Sequence, residues 1–199
     1  MLPILIPIAV LLSFLFRKKI RNFLKDGKSL GIIGMQQSGK TRFLAHLRNV
    51  PFIDKQTNQD DYPEFIYTTK SGSKIKINSG KDYGGLEMYR KNYSDIIKKS
   101  DVITYFFDIN KYFNDMEYRR ECNSRFLYLH GSFDKTENKL LVLFATHTDL
   151  CNNMQNKQIK KDFENLIKDK KYKELIKETI YVNTTNEDEL KELNEILFK

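Results

Sequence analysis

Gly34-Met35-Gln36-Gln37-Ser38-Gly39-Lys40-Thr41 brings two glycines, an ammonium and a hydroxyl into a spacing that suits one kind of ligand, a phosphate chain. Such a chain needs several backbone N–H donors converging on it, and the glycines allow the backbone to curl closely enough to supply them. Lys40 would reach the β- and γ-phosphates, and the Thr41 hydroxyl would ligate Mg²⁺. Ser29 to Ile33 reads as a strand before the loop, and Thr41 to Asn49 as a helix after it. The helix N-terminus adds a favourable dipole for an anion. The candidate phosphate contacts are Gly34, Gln36, Gln37, Ser38, Gly39, Lys40, Thr41 and Arg42. The loop alone separates neither GTP from ATP nor a hydrolase from a kinase.

A second constellation, Thr146-His147-Thr148-Asp149, follows the apolar run Leu141 to Ala145. Guanine presents N1–H and an N2 amino group on one edge, and one carboxylate accepts both, whereas adenine offers no matching pair. Asp149 is placed for that work. A third, Asp82-Tyr83-Gly84-Gly85, has the Asp-x-x-Gly spacing.

With these three motifs the chain resembles the TRAFAC small GTPases, and its paired glycines look like the Arf branch and the signal-recognition-particle receptor beta subunit. The resemblance implies that Asp82 reaches Mg²⁺ through water and that the Gly85 N–H meets the γ-phosphate. It implies Thr57, 16 residues after Thr41, as a second Mg²⁺ hydroxyl, and Thr146, His147 and Asp149 as base contacts. Thr184 and Thr185, after the last strand, would give a backbone N–H to guanine O6. The chain departs from the family pattern at three places: His147 where Lys is usual, Gln36 and Gln37 where compact residues are common, and Leu86 where a Gln orients the attacking water. Leucine cannot hold a water by hydrogen bonds, so turnover is expected to be slow unless Glu87, another residue or a partner substitutes. Lys40, Leu86 and Glu87 are thus the positions that set the rate.

The elements that must position these residues alternate as strands and helices. Strands are expected at Leu30 to Gly34, Glu64 to Lys70, Ser73 to Asn78, Val102 to Asp108, Leu140 to Thr146 and Ile180 to Asn183. Ser71-Gly72 marks a hairpin, so the second and third should pair antiparallel while the rest are parallel and buried. Asn78 to Lys81 is polar where a buried strand would continue, so the strand ends early or Asp82 stands on a longer turn. Helical stripes run through Cys122, Phe126 and Leu129, on a helix from about Asn114 to His130. Others run through Ile159, Phe163, Leu166 and Ile167, and through Leu190, Leu193, Ile196 and Leu197. The expected fold is α/β: a doubly wound, mostly parallel six-stranded sheet of the Ras-like type, with an apolar N-terminal anchor helix. Residues 1–20 would be the anchor, 21–28 a basic linker and 29–199 the G domain.

Leu2 to Phe16 is apolar apart from Ser13 and is followed by Arg17, Lys18, Lys19 and Arg21. Fifteen helical residues rise about 22 Å against a hydrocarbon core of roughly 30 Å. Flanking cations extend the span by snorkelling and place the remainder in the cytoplasm. A single-pass or inserted membrane anchor through residues 2–20 is therefore expected; a cleaved signal peptide would carry its charge before the apolar run. The net charge of +8 is spread among 26 acids, which favours a membrane surface over nucleic acid. Cys122 and Cys151 are too few for a disulfide framework and read as reduced thiols.

Three functional readings stand at this point. One is a membrane-anchored switch that binds GTP and GDP with Mg²⁺, with a protein effector or activator on the loops Asn49 to Glu64 and Gly84 to Ser94. The second is a small P-loop ATPase or nucleotide kinase, which would want an arginine-rich lid; Arg119, Arg120 and Arg125 lie together but read as a solvated or membrane-facing surface. The third is a GTP-binding scaffold that never hydrolyses, with Leu86 as its mark.

Overall fold

A computed structural model gives the structure of residues 28–53, 59–68, 72, 74–83, 93–133, 139–151, 154–176 and 179–198. Its centre is three parallel strands, β1 (Lys28–Gly34), β6 (Val102–Asp108) and β7 (Leu140–Thr146). Every residue of β6 is buried, as a run covered by helices on both faces must be. Between β1 and β6 lie four short strands, β2 (Gln59–Tyr62), β3 (Phe65–Thr68), β4 (Lys74–Asn78) and β5 (Gly80–Tyr83). β3 pairs antiparallel with β4 as the hairpin signal requires, and β2 pairs antiparallel with β5. Both β4 and β5 run parallel to β1. They therefore act as one interrupted strand, and β2 with β3 as another. With β8 (Ile180–Tyr181) beside β7, the sheet is six-stranded and mixed, with its antiparallel strand at one edge.

Two expectations are corrected here. The chain does not leave the sheet at Asn78: only Ser79 interrupts it, and Asp82 stands in β5 with Ile32 of β1 as its register partner. Gln59 to Tyr62, expected as part of a polar loop, forms the strand beyond it. Its composition hides this because the strand is polar apart from Tyr62, which is buried and whose hydroxyl donates to the Leu30 carbonyl.

Helices cover both faces, following the period-2 alternation of the strands. Ile103, Tyr105 and Phe107 of β6 face a cluster with α2 (Tyr93–Lys99), α3 (Ile109–Asn114), α4 (Met116–Phe133) and α5 (Asn156–Ile167). Val102 and Phe106 face the other side, with α1 (Lys40–Leu47) and α6 (Glu187–Phe198). There Phe106 and Phe144 stack at 4.6 Å, with Phe43 of α1 against both.

The helix expected from about Asn114 to His130 is α4, and the short α3 before it was not expected. Asp115 separates them, its carboxylate accepting the N–H groups of Glu117 and Tyr118 to cap α4. The stripe Cys122, Phe126 and Leu129 is fully buried, as expected. On α5, Ile159, Phe163 and Ile167 are buried but Leu166 is 39% exposed, one position round from the core face. The side chains of Ile196 and Leu197 lie outside the described residues, as do residues 1–27 with the expected anchor. Among the described residues no helix is long and apolar enough to cross a membrane.

Candidate functional site

Parallel pairing fixes where the site must be. Gly34 is level with Phe106, and Asp108 with Thr146, so the loops after β1, β6 and β7 leave the sheet at one edge. Open α/β sheets bind ligands there, at the carboxyl ends of their strands.

The loop expected to hold phosphate is built at the end of β1. Gly34 has φ 149°, and a Cβ on it would lie 2.2 Å from the Phe106 carbonyl oxygen, so no other residue fits. Met35 turns inward into the core and its N–H donates to that carbonyl at 2.8 Å. Gln37 (φ 55°) and Gly39 (φ 81°) then curl the chain through left-handed conformations into α1. Gly39 is the N-cap of this helix and brings no side chain to cap it. The Met35 carbonyl accepts the Ser38 hydroxyl at 2.7 Å and the Lys40 ammonium at 2.6 Å. Ser38 and Lys40 are both buried, so the positive charge is held within the loop rather than in solvent. This donor set fits a phosphate chain: a lysine ammonium, a left-handed glycine turn and an uncapped helix start.

The other expected loop contacts are placed unequally. Gln36 and Gln37 are exposed, and the Gln37 side chain accepts Lys111 Nζ of α3 at 3.1 Å. Arg42 points over the Phe52 ring at 4.2 Å, a cation–π contact that occupies its guanidinium. Thr41 is partly exposed in the first turn of α1. The backbone of Asp82 lies two rungs below Gly34, while its side chain is outside the description, as are Thr57, Gly85, Leu86 and Glu87. Among the described residues, His, Cys, Asp and Glu form no metal-binding group of three or more. A Mg²⁺ held by a hydroxyl, one carboxylate, waters and phosphate oxygens needs no such group.

At the end of β7, Thr146 is fully buried and its hydroxyl donates to the Phe107 carbonyl at 3.1 Å. Its oxygen is then free to accept from His147 Nδ1 at 2.9 Å, which assigns the proton to Nδ1. His147 sits at φ 59°, with Nδ1 also 3.6 Å from the Asp108 carboxylate. The imidazole is thus drawn toward β6, where a lysine would extend freely. Asp149 is exposed on the short 3₁₀ turn Thr148–Leu150, free to meet a base edge. Burial, with the charges of Asp108 and Asp149, pushes the Cys151 thiol up to about 11, which leaves it unreactive.

Thr184 reaches the loop, but by packing. It is buried, and a Cβ on Gly39 would lie 2.6 Å from its hydroxyl oxygen. The Thr185 N–H, expected to serve guanine O6, donates to the Asn183 side chain at 2.9 Å, as the Thr185 hydroxyl does at 2.7 Å. Asn183 N–H in turn donates to Glu189 at 2.7 Å. Burial raises the Glu189 carboxyl above its ordinary value; the Asn183 N–H opposes this and the Asp149 charge adds to it.

Sequence reasoning gave no role to Asp108, Lys111 and Tyr93, and it read Arg125 as a surface residue. Asp108 caps α3, accepting the Lys111 N–H at 2.8 Å, and an acidic residue ending a buried strand was its one legible signal. The three arginines do not form one surface. Arg120 is exposed, Arg119 donates to the Tyr112 and Phe113 carbonyls, and Arg125 is fully buried.

No known protein family and no curated protein matches the sequence. Among solved structures 880 chains match, which marks the architecture as common and so as poor evidence of any single activity. One, described as "The Structure of the Mammalian SRP Receptor", superposes with a TM-score of 0.58 at 16% identity, over 85% of this chain and 100% of that one. Identity that low establishes a shared fold alone, a mixed six-stranded sheet with helices on both faces.

Proposed function

We propose that this chain is a guanine-nucleotide switch, held at a membrane by residues 2–20, that binds GTP and GDP with Mg²⁺ and hydrolyses GTP slowly or only with a partner. The observation that carries the reading is the buried Lys40 ammonium, held with Ser38 on the Met35 carbonyl at the uncapped start of α1. The exposed Asp149 at the same edge of the sheet supplies the guanine preference, and the fold shared with the SRP receptor chain supports both placements. In this reading Thr41 and Asp82 hold the Mg²⁺, which would neutralise phosphate charge. Leu86 gives an attacking water no hydrogen bond, and that is the ground for slow turnover. An effector or activator would dock on the loops Asn49 to Glu64 and Gly84 to Ser94. The nucleotide-kinase reading loses its arginine lid, because Arg125 is buried and Arg119 is spent on helix carbonyls.

Calorimetric titration with GDP and Mg²⁺ tests the proposal. The parent chain should bind, and Lys40→Ala should bind about 10- to 100-fold more weakly, the scale of one hydrogen bond to a charged group. Equal affinity in parent and variant would remove the loop from the site.

A further inference from the structure

A buried arginine is an expensive residue for a helix face that otherwise carries Cys122, Phe126 and Leu129. Its fork is directed at a partner 91 residues away. Arg125 Nη1 donates to the Gly34 carbonyl at 3.1 Å and to the Tyr93 hydroxyl, also at 3.1 Å. Tyr93, the first residue of α2, donates its own hydroxyl to the same carbonyl at 3.1 Å. Nη2 pairs with Glu121, one turn earlier on α4. Burial holds the Tyr93 phenol above its ordinary value, so it stays protonated and donates. Glu121, paired with Nη2, is the counter-charge of the buried Arg125 guanidinium.

The carbonyl these groups hold belongs to the first peptide of the phosphate loop. That peptide's N–H, on Met35, is held by the Phe106 carbonyl at 2.8 Å. The plane is therefore gripped at both ends. Without those grips it follows a glycine, which restricts rotation less than any other residue. One residue on, the Met35 carbonyl carries Ser38 and Lys40. An error in the first plane would pass directly to the ammonium.

We infer that Arg125 and Tyr93 are positioning residues of the phosphate loop, fixing the Gly34–Met35 peptide and through it the place of Lys40. The geometry stands without a ligand; its consequence for nucleotide rests on the function proposed above.

Three variants test this: Tyr93→Phe, which keeps the ring, Arg125→Lys, which keeps a charge, and Leu129→Ala, a cavity on the same helix with no tie to Gly34. Amide exchange at Met35 to Gly39 in nucleotide-free protein is the deciding readout. It should quicken about 5- to 10-fold in Tyr93→Phe, the scale of one hydrogen bond, and at least as much in Arg125→Lys. Leu129→Ala should lower the melting temperature without that local change. GDP release should quicken by a similar factor in the first two variants only. Unchanged loop exchange in Tyr93→Phe and Arg125→Lys, or an equal rise in Leu129→Ala, would overturn the inference. A parent chain that binds no GDP would defeat the proposed function, and the exchange result would still decide this point.

Discussion

Gly39→Ala, measured alone and together with Thr184→Ala, separates two costs that the loop geometry imposes at one atom. The first is conformational. Gly39 has φ 81°, and an alanine held there costs about 1–2 kcal/mol. The second is steric. The new methyl would lie 2.6 Å from Thr184 Oγ1, 3.1 Å from its Cγ2 and 3.2 Å from its Cβ. Thr184 is 3% exposed and β-branched, so it has little room to turn away. Overpacking of that kind costs about 1–3 kcal/mol. The single variant should therefore lose about 2–5 kcal/mol, a large share of the roughly 5–15 kcal/mol that holds a domain folded. In urea that shifts the midpoint by about 1–2 M. Thr184→Ala removes Oγ1 and Cγ2, relieving the two shortest contacts but leaving φ unchanged. A double-mutant cycle by urea denaturation should give a favourable coupling of about 1–3 kcal/mol, with the conformational cost remaining. Additivity within about 0.5 kcal/mol would show that Gly39 and Thr184 do not meet, and would refute the placement of the Asn183 to Thr185 segment against the phosphate loop.

Other outcomes follow from the same geometry. Because burial raises the Glu189 carboxyl, the folded chain keeps a proton that the unfolded chain releases in the ordinary carboxylate range. The stabilisation is therefore full below that range and is lost as pH rises through the higher folded value. Glu189→Gln can still accept the Asn183 N–H, and should flatten this decline in a melting-temperature series against pH; an unchanged slope would acquit Glu189. Leu86→Gln should raise single-turnover GTP hydrolysis about tenfold, one hydrogen bond at the transition state, whereas no gain would place the missing water contact elsewhere. Full-length chain expressed in cells should remain with membranes through alkaline extraction, and deletion of residues 2–20 should release it; release of the intact chain would remove the anchor.

The sequence showed most where one physical cause dominated. β6 and β7 are runs of mostly apolar residues, and burial on both faces leaves such runs few other fates. The phosphate loop was legible because two of its positions admit only glycine geometry. Gln59 to Tyr62 and Gly80 to Tyr83 were not, because they pair with each other through the backbone beside the buried Tyr62 ring, and neither pairing nor one ring leaves a hydrophobic period. Arg125 misled for a related reason: its charge marks a surface residue until the Gly34 carbonyl, Tyr93 and Glu121 are seen around it. Asp149 lies exposed on the turn after β7, where the end of an apolar run places it. The Thr185 N–H was less legible: its partner in the structure is the side chain of Asn183, two residues away.

Competition for bound fluorescent GDP tests the central claim most directly, because it reads the loop and the base contact in one titration. GTP should displace the probe at low excess and ATP should not, and Asp149→Ala should erase the difference while Lys40→Ala weakens binding of the probe about 10- to 100-fold. Displacement by ATP as effective as by GTP would contradict the guanine assignment, and with it the account of Asp149.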